Sequence, residues 1–390
     1  MMNELRGFSL LKGEKDLKKL VRNDKWFNYF DDGTKEFDIR MGGSSFILGY
    51  GNTEVFHGLE KSIENVARCQ SNDGHWTDET KRAGEILCDG VWDTYSWALS
   101  GTSAVEAAIS MNDEYWKKRD IDKPKIISFS FAWHGTSYLT KDMGAPFLLK
   151  NHTNRCINIK HPKSTDEESY ALESIQNLNL SDVGCIIFDS STWINGLYGW
   201  SEEWWKNIRK ICDDNDILMI TDDVASGWGK FGTYHPYKSI GFGIQPDISA
   251  VGKSLTAGYA PLGAALCNSK VGDIVRQSGA WNYNHTWQPS MIGIYLMLNT
   301  HEIIKRDNLL ENVTNIENKL DDMFAEMFSN GMIDSYNVKG LFFSLNAKKD
   351  TGQKGLSAMM LKKNLKGFAP MTANDMYFSD LEECIYESVV

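Results

Sequence analysis

The sequence has no apolar run approaching the ~18 consecutive residues that a membrane-crossing helix requires. Its longest candidate, Met291–Leu298, ends at Asn299. Residues 1–11 hold no apolar core and no small-residue cleavage site, so a secretory leader is not expected. The seven cysteines (69, 88, 156, 185, 212, 267 and 384) form no CxxC pair. Their scatter excludes a disulfide framework and a thiolate zinc site, and reduced thiols imply a cytoplasmic protein. Positive charge is in deficit: 41 Lys and Arg against 52 Asp and Glu leave a net charge of −11. A chain of that sign is not built to neutralise phosphate backbones, so neither a nucleic-acid nor a membrane partner is expected. Proline is scarce at 8 residues, and with 33 glycines the chain is far from low-complexity composition. Arginine is absent from 307 to 390. That stretch therefore lacks a planar fork for a carboxylate, and Lys366 supplies charge without the fork.

What is present can fill a sizeable core: 42% of the 390 residues are hydrophobic and 12% aromatic. At ~100–200 residues per domain, two or three domains are expected, or one large and one small. Brief runs read as buried strands: Tyr95–Leu99, Lys125–Ser130, Gly184–Asp189, Ile217–Thr221 and Asp247–Val251. Between them lie helices. Ser201 is placed to cap Glu202–Cys212, and Ser103 to cap Ala104–Met111 with Glu106 completing a capping box. Strands alternating with helices predict an α/β fold with a mostly parallel sheet. After Pro289 the pattern changes. A buried helix, Met291–Ile304, is followed by an amphipathic one over Asn308–Phe328, a strand at Val338–Leu345 and a polar C-terminal stretch. The expected division is a large domain over 45–300 and a small domain from 1–44 and 301–390.

Two glycine motifs mislead. Gly227–Gly232 (GWGKFG) matches GxGxxG with Asp247 beyond it, but no helix follows, so a dinucleotide site is disfavoured. Gly252–Lys253–Ser254 resembles the end of a phosphate-binding loop, yet its first glycine would fall on Asp247. Read together, the same residues say more. Asp222 follows one strand and Lys253 follows the next. Parallel sheets gather ligands at the carboxyl ends of their strands. Ser100–Gly101–Thr102–Ser103 ends another strand and opens a helix, where backbone N–H groups and the dipole attract phosphate. Trp133–His134–Gly135 offers an aromatic plate. Phosphate cup, plate, aspartate and lysine are the parts that hold pyridoxal 5′-phosphate (PLP). Each residue alone has a plainer explanation. Lys253 fits a surface lysine, Ser103 with Glu106 a capping box, Trp133 core packing, His134 a buried histidine, and Asp222–Asp223 a solvated strand end. Their order and spacing favour the cofactor.

These motifs resemble the class III aminotransferases of PLP fold type I over most of residues 30–300. An acidic pair followed by a GFGRTG-like turn stands here as ITDDVASGWGKFG (220–232), and the lysine segment as PDISAVGKSLTAGYAPLGA (246–264). Within the family, SGTSAVEAAISMNDEYW (100–116), AWHG (132–135) and 204–227 most resemble the diaminopelargonate synthases. The resemblance implies a mostly parallel seven-stranded sheet flanked by helices, with a smaller α+β domain from both termini. It implies that Lys253 forms the Schiff base and moves the proton, and that Asp222 meets the pyridine nitrogen. It places Val224 and Trp133 on the two ring faces. Ser100, Gly101 and Thr102 are placed at the phosphate, with His134 and Asp189 also at the cofactor. Thr286 (HTWQP, 285–289) would reach the phosphate of a neighbouring subunit in a homodimer. The partners implied are an amine or amino-acid donor and a keto acceptor.

The departures fall around the substrate. DSSTWINGLYG (189–199) replaces the family's E-P-x-x-G, with Asp189 in place of glutamate. Pro289 comes early, the aromatic pair is missing around Gly43–Ser44–Ser45–Phe46, and the C-terminal arginine is gone. Retained cofactor chemistry with an altered pocket favours amines or ω-amino compounds as donors. An aminomutase, a PLP-binding protein without turnover and, more distantly, a Rossmann dehydrogenase remain as alternatives.

Overall fold

A computed structural model of the 390-residue chain describes residues 18–69, 74–144, 153–191, 199–277, 281, 283–347 and 364–389. Three short strands open it: β1 (Leu20–Asp24), β2 (Phe27–Phe30) and β3 (Lys35–Phe37), paired antiparallel. Helix α1 (Asp78–Cys88) leads into the central sheet. That sheet comprises β4 (Thr94–Ala98), β5 (Lys125–Phe129), β6 (Cys156–Ile159), β7 (Val183–Asp189), β8 (Leu218–Asp222), β9 (Ile248–Val251) and β10 (Gly263–Cys267). Its order is β4-β10-β9-β8-β7-β5-β6. Every pairing from β9 to β6 is parallel, while β10 runs against both of its neighbours. The expected α/β fold with a mostly parallel seven-stranded sheet is therefore what the chain adopts. Strands β8, β9 and β10 are buried along their whole length, as a sheet covered on both faces requires.

Helix α2 (Gly101–Lys118) follows β4, and α3 (Glu202–Asp214) precedes β8. Ser201 caps α3 as expected, accepting a hydrogen bond from the Trp204 N–H. The cap of α2 differs from the expected one. Ser100, not Ser103, is the N-cap, and Ser103 closes the box from the first turn. Glu106 instead accepts from the Ser137 hydroxyl. The helix thus starts three residues earlier and brings Gly101 and Thr102 to its N-terminus.

Beyond residue 290, α4 (Met291–Arg306) and α5 (Leu309–Ser329) match the helical periodicity, and α5 buries Leu309, Val313, Ile316, Leu320, Phe324 and Met327. The single strand expected at Val338–Leu345 is a hairpin. β11 (Ile333–Lys339) and β12 (Phe342–Ala347) turn at Gly340, whose φ of 56° suits glycine. β13 (Asn364–Phe368) completes this antiparallel sheet. The stretch read as merely polar ends in α6 (Asp375–Val389), which buries Tyr377, Leu381 and Ile385. Contacts tie the two termini together. The Phe368 N–H donates to Ile39 O at 2.7 Å, Trp26 Nε1 donates to Asp380 at 2.8 Å, and the Trp26 and Tyr377 rings meet edge to face.

Candidate active site

Strand register assembles the site. Asp189, the last residue of β7, lies beside Asp222, the last of β8, and Asp222 lies beside Ala250 of β9. Across β10, Gly263 pairs with Ala98 and Ala264 with Val251. The carboxyl ends of β4, β9, β8 and β7 therefore form one row. Ser100, Lys253, Asp222 and Asp189 sit on that row because each stands within two residues of its strand end.

Glycines show how closely the loops meet. A Cβ on Gly101 would lie 2.4 Å from Val224 Cγ1, and one on Gly252 would lie 3.3 Å from Gly101 Cα. A Cβ on Gly135, whose φ is 113°, would lie 2.4 Å from Thr102 Oγ1. The Trp133–Gly135 loop, the start of α2, Val224 and the segment before Lys253 thus converge. Gly101→Ala is expected to cost about 1–3 kcal/mol of stability by overpacking against Val224, and to weaken PLP retention about tenfold. Thermal unfolding and cofactor titration check both.

The electrostatics are concentrated. Asp222 is 3% exposed. Its Oδ1 accepts from the Val224 N–H at 3.1 Å, and its Oδ2 lies 2.7 Å from His134 Nδ1. Burial opposes charge on His134, but the carboxylates of Asp189 and Asp222 outweigh it and raise its pKa. Burial raises Asp189 as well, against the pull of His134 and Lys253. Burial lowers the pKa of Lys253, while Asp222 and Asp189 oppose that shift. Lys253 also has a φ of 45°, a left-handed conformation that a non-glycine residue holds at a cost.

Sequence reasoning left other members out. Asp223 is no solvated strand end. It is 1% exposed, accepts from Thr221 Oγ1 at 2.8 Å and Ser249 Oγ at 2.7 Å, and is pushed by burial to about 6. Thr221 and Ser249, small hydroxyl residues on adjoining strands, were the available signal. Lys230, inside the misleading glycine motif, is wholly buried and donates to Gly227 O at 3.5 Å. Burial first, and then Lys253, lower its pKa far below the ordinary lysine value. Asp247 is occupied by Arg209 and the Met219 N–H, which leaves nothing for a ribose. Trp133 is half-buried beside His134, and Thr286 lies exposed in a turn. Of the replaced E-P-x-x-G segment, residues 192–198 lie outside the described residues, as does the side chain of Lys366.

The site has the donor set that PLP requires. It places an amine with lowered pKa and a carboxylate on neighbouring strand ends, beside a helix N-terminus lined by small residues. The family model described as aminotransferase class-III matches residues 15–376. The chain belongs to the class III aminotransferases. It is a PLP-dependent transaminase. Among relatives of this family, an uncharacterised aminotransferase of Schizosaccharomyces pombe is 25% identical, over 86% of this chain and 78% of its own length. The adenosylmethionine-8-amino-7-oxononanoate aminotransferase of Geobacter sulfurreducens is 29% identical, over 60% of this chain and 56% of its own. In fold, the chain is similar to an amine transaminase of an uncultivated Pseudomonas species in its PLP-bound form. The TM-score is 0.89 at 18% identity, covering 100% of this chain and 99% of that one. A transaminase from the marine bacterium Virgibacillus gives 0.90 at 16% identity, covering 99% and 96%.

Proposed function

We propose that this aminotransferase takes its nitrogen from an amine or ω-amino compound and passes it to a ketone or aldehyde acceptor. Lys253 is proposed as the catalytic residue and Asp222 as the partner of the pyridine nitrogen. The observation that carries this reading is the convergence of Lys253, Asp222 and the α2 N-terminus on one row of strand ends. Bound PLP supplies an aldehyde that accepts the amino group and a ring that draws electrons from the substrate carbon. The Lys253 amine, its pKa lowered by burial, removes the proton from that carbon and returns it at the neighbouring position. Asp222, fixed by the Val224 N–H and by His134, has lone pairs left for a ring N–H. Ser100, Gly101 and Thr102 would hold the phosphate through the helix N-terminus, and Val224 and Trp133 would pack against the ring. The lack of arginine after residue 306 supports donors without an α-carboxylate.

A homodimer is part of the proposal, with Thr286 reaching the partner's phosphate. Trp76 and Trp287, 68% and 67% exposed, support a covered surface there. The termini's contacts support a small domain from 1–44 and 301–390 beside a large one over 45–300. None of the seven cysteines is joined in a disulfide, which supports a cytoplasmic setting.

A half-reaction screen tests the reading. Holoenzyme mixed with single donors should lose its visible band and release one equivalent of carbonyl product, fastest with carboxylate-free amines. An amino group that migrates within the donor, with no carbonyl released, would point to a mutase. An unchanged band with every donor would mean binding without turnover.

A further inference from the structure

We infer that Asp189 is a positioning residue that acts on Asp222 through His134, the three forming one cluster in which both carboxylates face the same nitrogen of a buried imidazole. The inference rests on the assignment of Asp222 to the pyridine nitrogen, and it removes Asp189 and His134 from direct contact with the cofactor. His134 turns Nδ1 toward both acids, 2.7 Å from Asp222 Oδ2 and 3.8 Å from Asp189 Oδ1. Its side chain has no exposed surface, and its Nε2 is buried without a hydrogen-bond partner among the described residues. One polar atom from each of the three residues lies within 4.8 Å of the others. The arrangement follows from topology. β7 and β8 are parallel neighbours whose last residues are in register, and the loop after β5 brings His134 across them.

The consequence is electrostatic. Burial disfavours the charged form of His134, and the charge of Asp189 together with the hydrogen bond and charge of Asp222 reverses that. A charged imidazole donates a stronger bond to a carboxylate than a neutral one does, because both partners are then ionised. Once ionised, above the value of about 7 to which burial raises it, Asp189 therefore favours the charged form of His134 that holds Asp222 most firmly. The other titratable groups facing the three are Asp223 just past β8, Lys253 beyond β9 and His161 beyond β6. None of them takes the place of the Asp189 charge. Asp223 is engaged by Thr221 and Ser249, and burial holds His161, pushed down to about 4, and Lys253 toward their neutral forms, so neither supplies a negative charge. With Asp189 neutralised, His134 should lose its proton at lower pH.

Asp189→Asn and Asp189→Glu test this, read by proton NMR of the cofactor-free protein and by half-reaction rates of the holoenzyme. His134→Gln identifies the downfield Nδ1–H signal by its loss. In Asp189→Asn the midpoint of that signal should fall by about one pH unit, and the alkaline limb of the rate profile should move down with it. The rate at pH 8 should drop about tenfold, with PLP affinity within about threefold of wild type. Asp189→Glu keeps the charge and should keep the midpoint and most of the rate. An unmoved midpoint in Asp189→Asn would overturn the inference. So would a large loss of PLP affinity with the titration unchanged, since Asp189 would then touch the cofactor itself. A midpoint that moves while the rate profile stays fixed would overturn the assignment of Asp222 instead.

Discussion

Lys253→Ala should lose both the visible absorbance of the holoenzyme and at least about 10³-fold of its transamination rate. The two losses have one cause. The Lys253 amine stands at the head of the strand-end row, in surroundings that favour its neutral form, and a neutral amine is what bonds an aldehyde and accepts a proton. Alanine has neither function. A second buried amine, Lys230, has its backbone carbonyl held by the Leu341 N–H and its side-chain amine aimed at Gly227 O. Held at that carbonyl, it should not substitute. The measurement is single-turnover kinetics with a carboxylate-free amine, alongside an absorbance scan of the purified protein. A variant that keeps wild-type turnover would remove Lys253 from the chemistry.

Asp222→Asn should be nearly as damaging to rate, with a loss on the order of 10²–10³-fold, yet should leave PLP bound. Asparagine is close to isosteric, so its side-chain oxygen can still accept from the Val224 N–H. What it lacks is the negative charge that keeps a ring nitrogen protonated and makes the ring an electron sink. Cofactor content should stay near one per chain while proton abstraction slows. Equal losses of content and rate would show that Asp222 serves retention and not chemistry.

Much of this was legible in the sequence because short strands in a parallel sheet leave their mark twice. They are brief apolar runs, and chemistry gathers just after them. ILMITD and DISAVGK announced both a strand end and its functional residue. Local capping was harder to read. Ser100 and Ser103 both suit an N-cap, and the choice fell to Ser100, two residues past the end of β4. The hairpin turn at Gly340 was hidden inside a continuous apolar stretch. There the turn is fixed by packing, since a Cβ on Gly340 would lie 2.3 Å from Lys230 O. Least visible were interactions across strands. Nothing local in DSST or AWHG says that Asp189 and His134 meet, or that Asp223 is buried between Thr221 and Ser249. Those pairings come from sheet order, which brings together residues 55 and 26 positions apart.

The claim on which the account depends is tested most directly by reducing the holoenzyme with borohydride and mapping the labelled peptide by mass spectrometry. The account predicts a single phosphopyridoxyl label, on Lys253. A label on Lys230, or on any lysine away from the strand-end row, would contradict it.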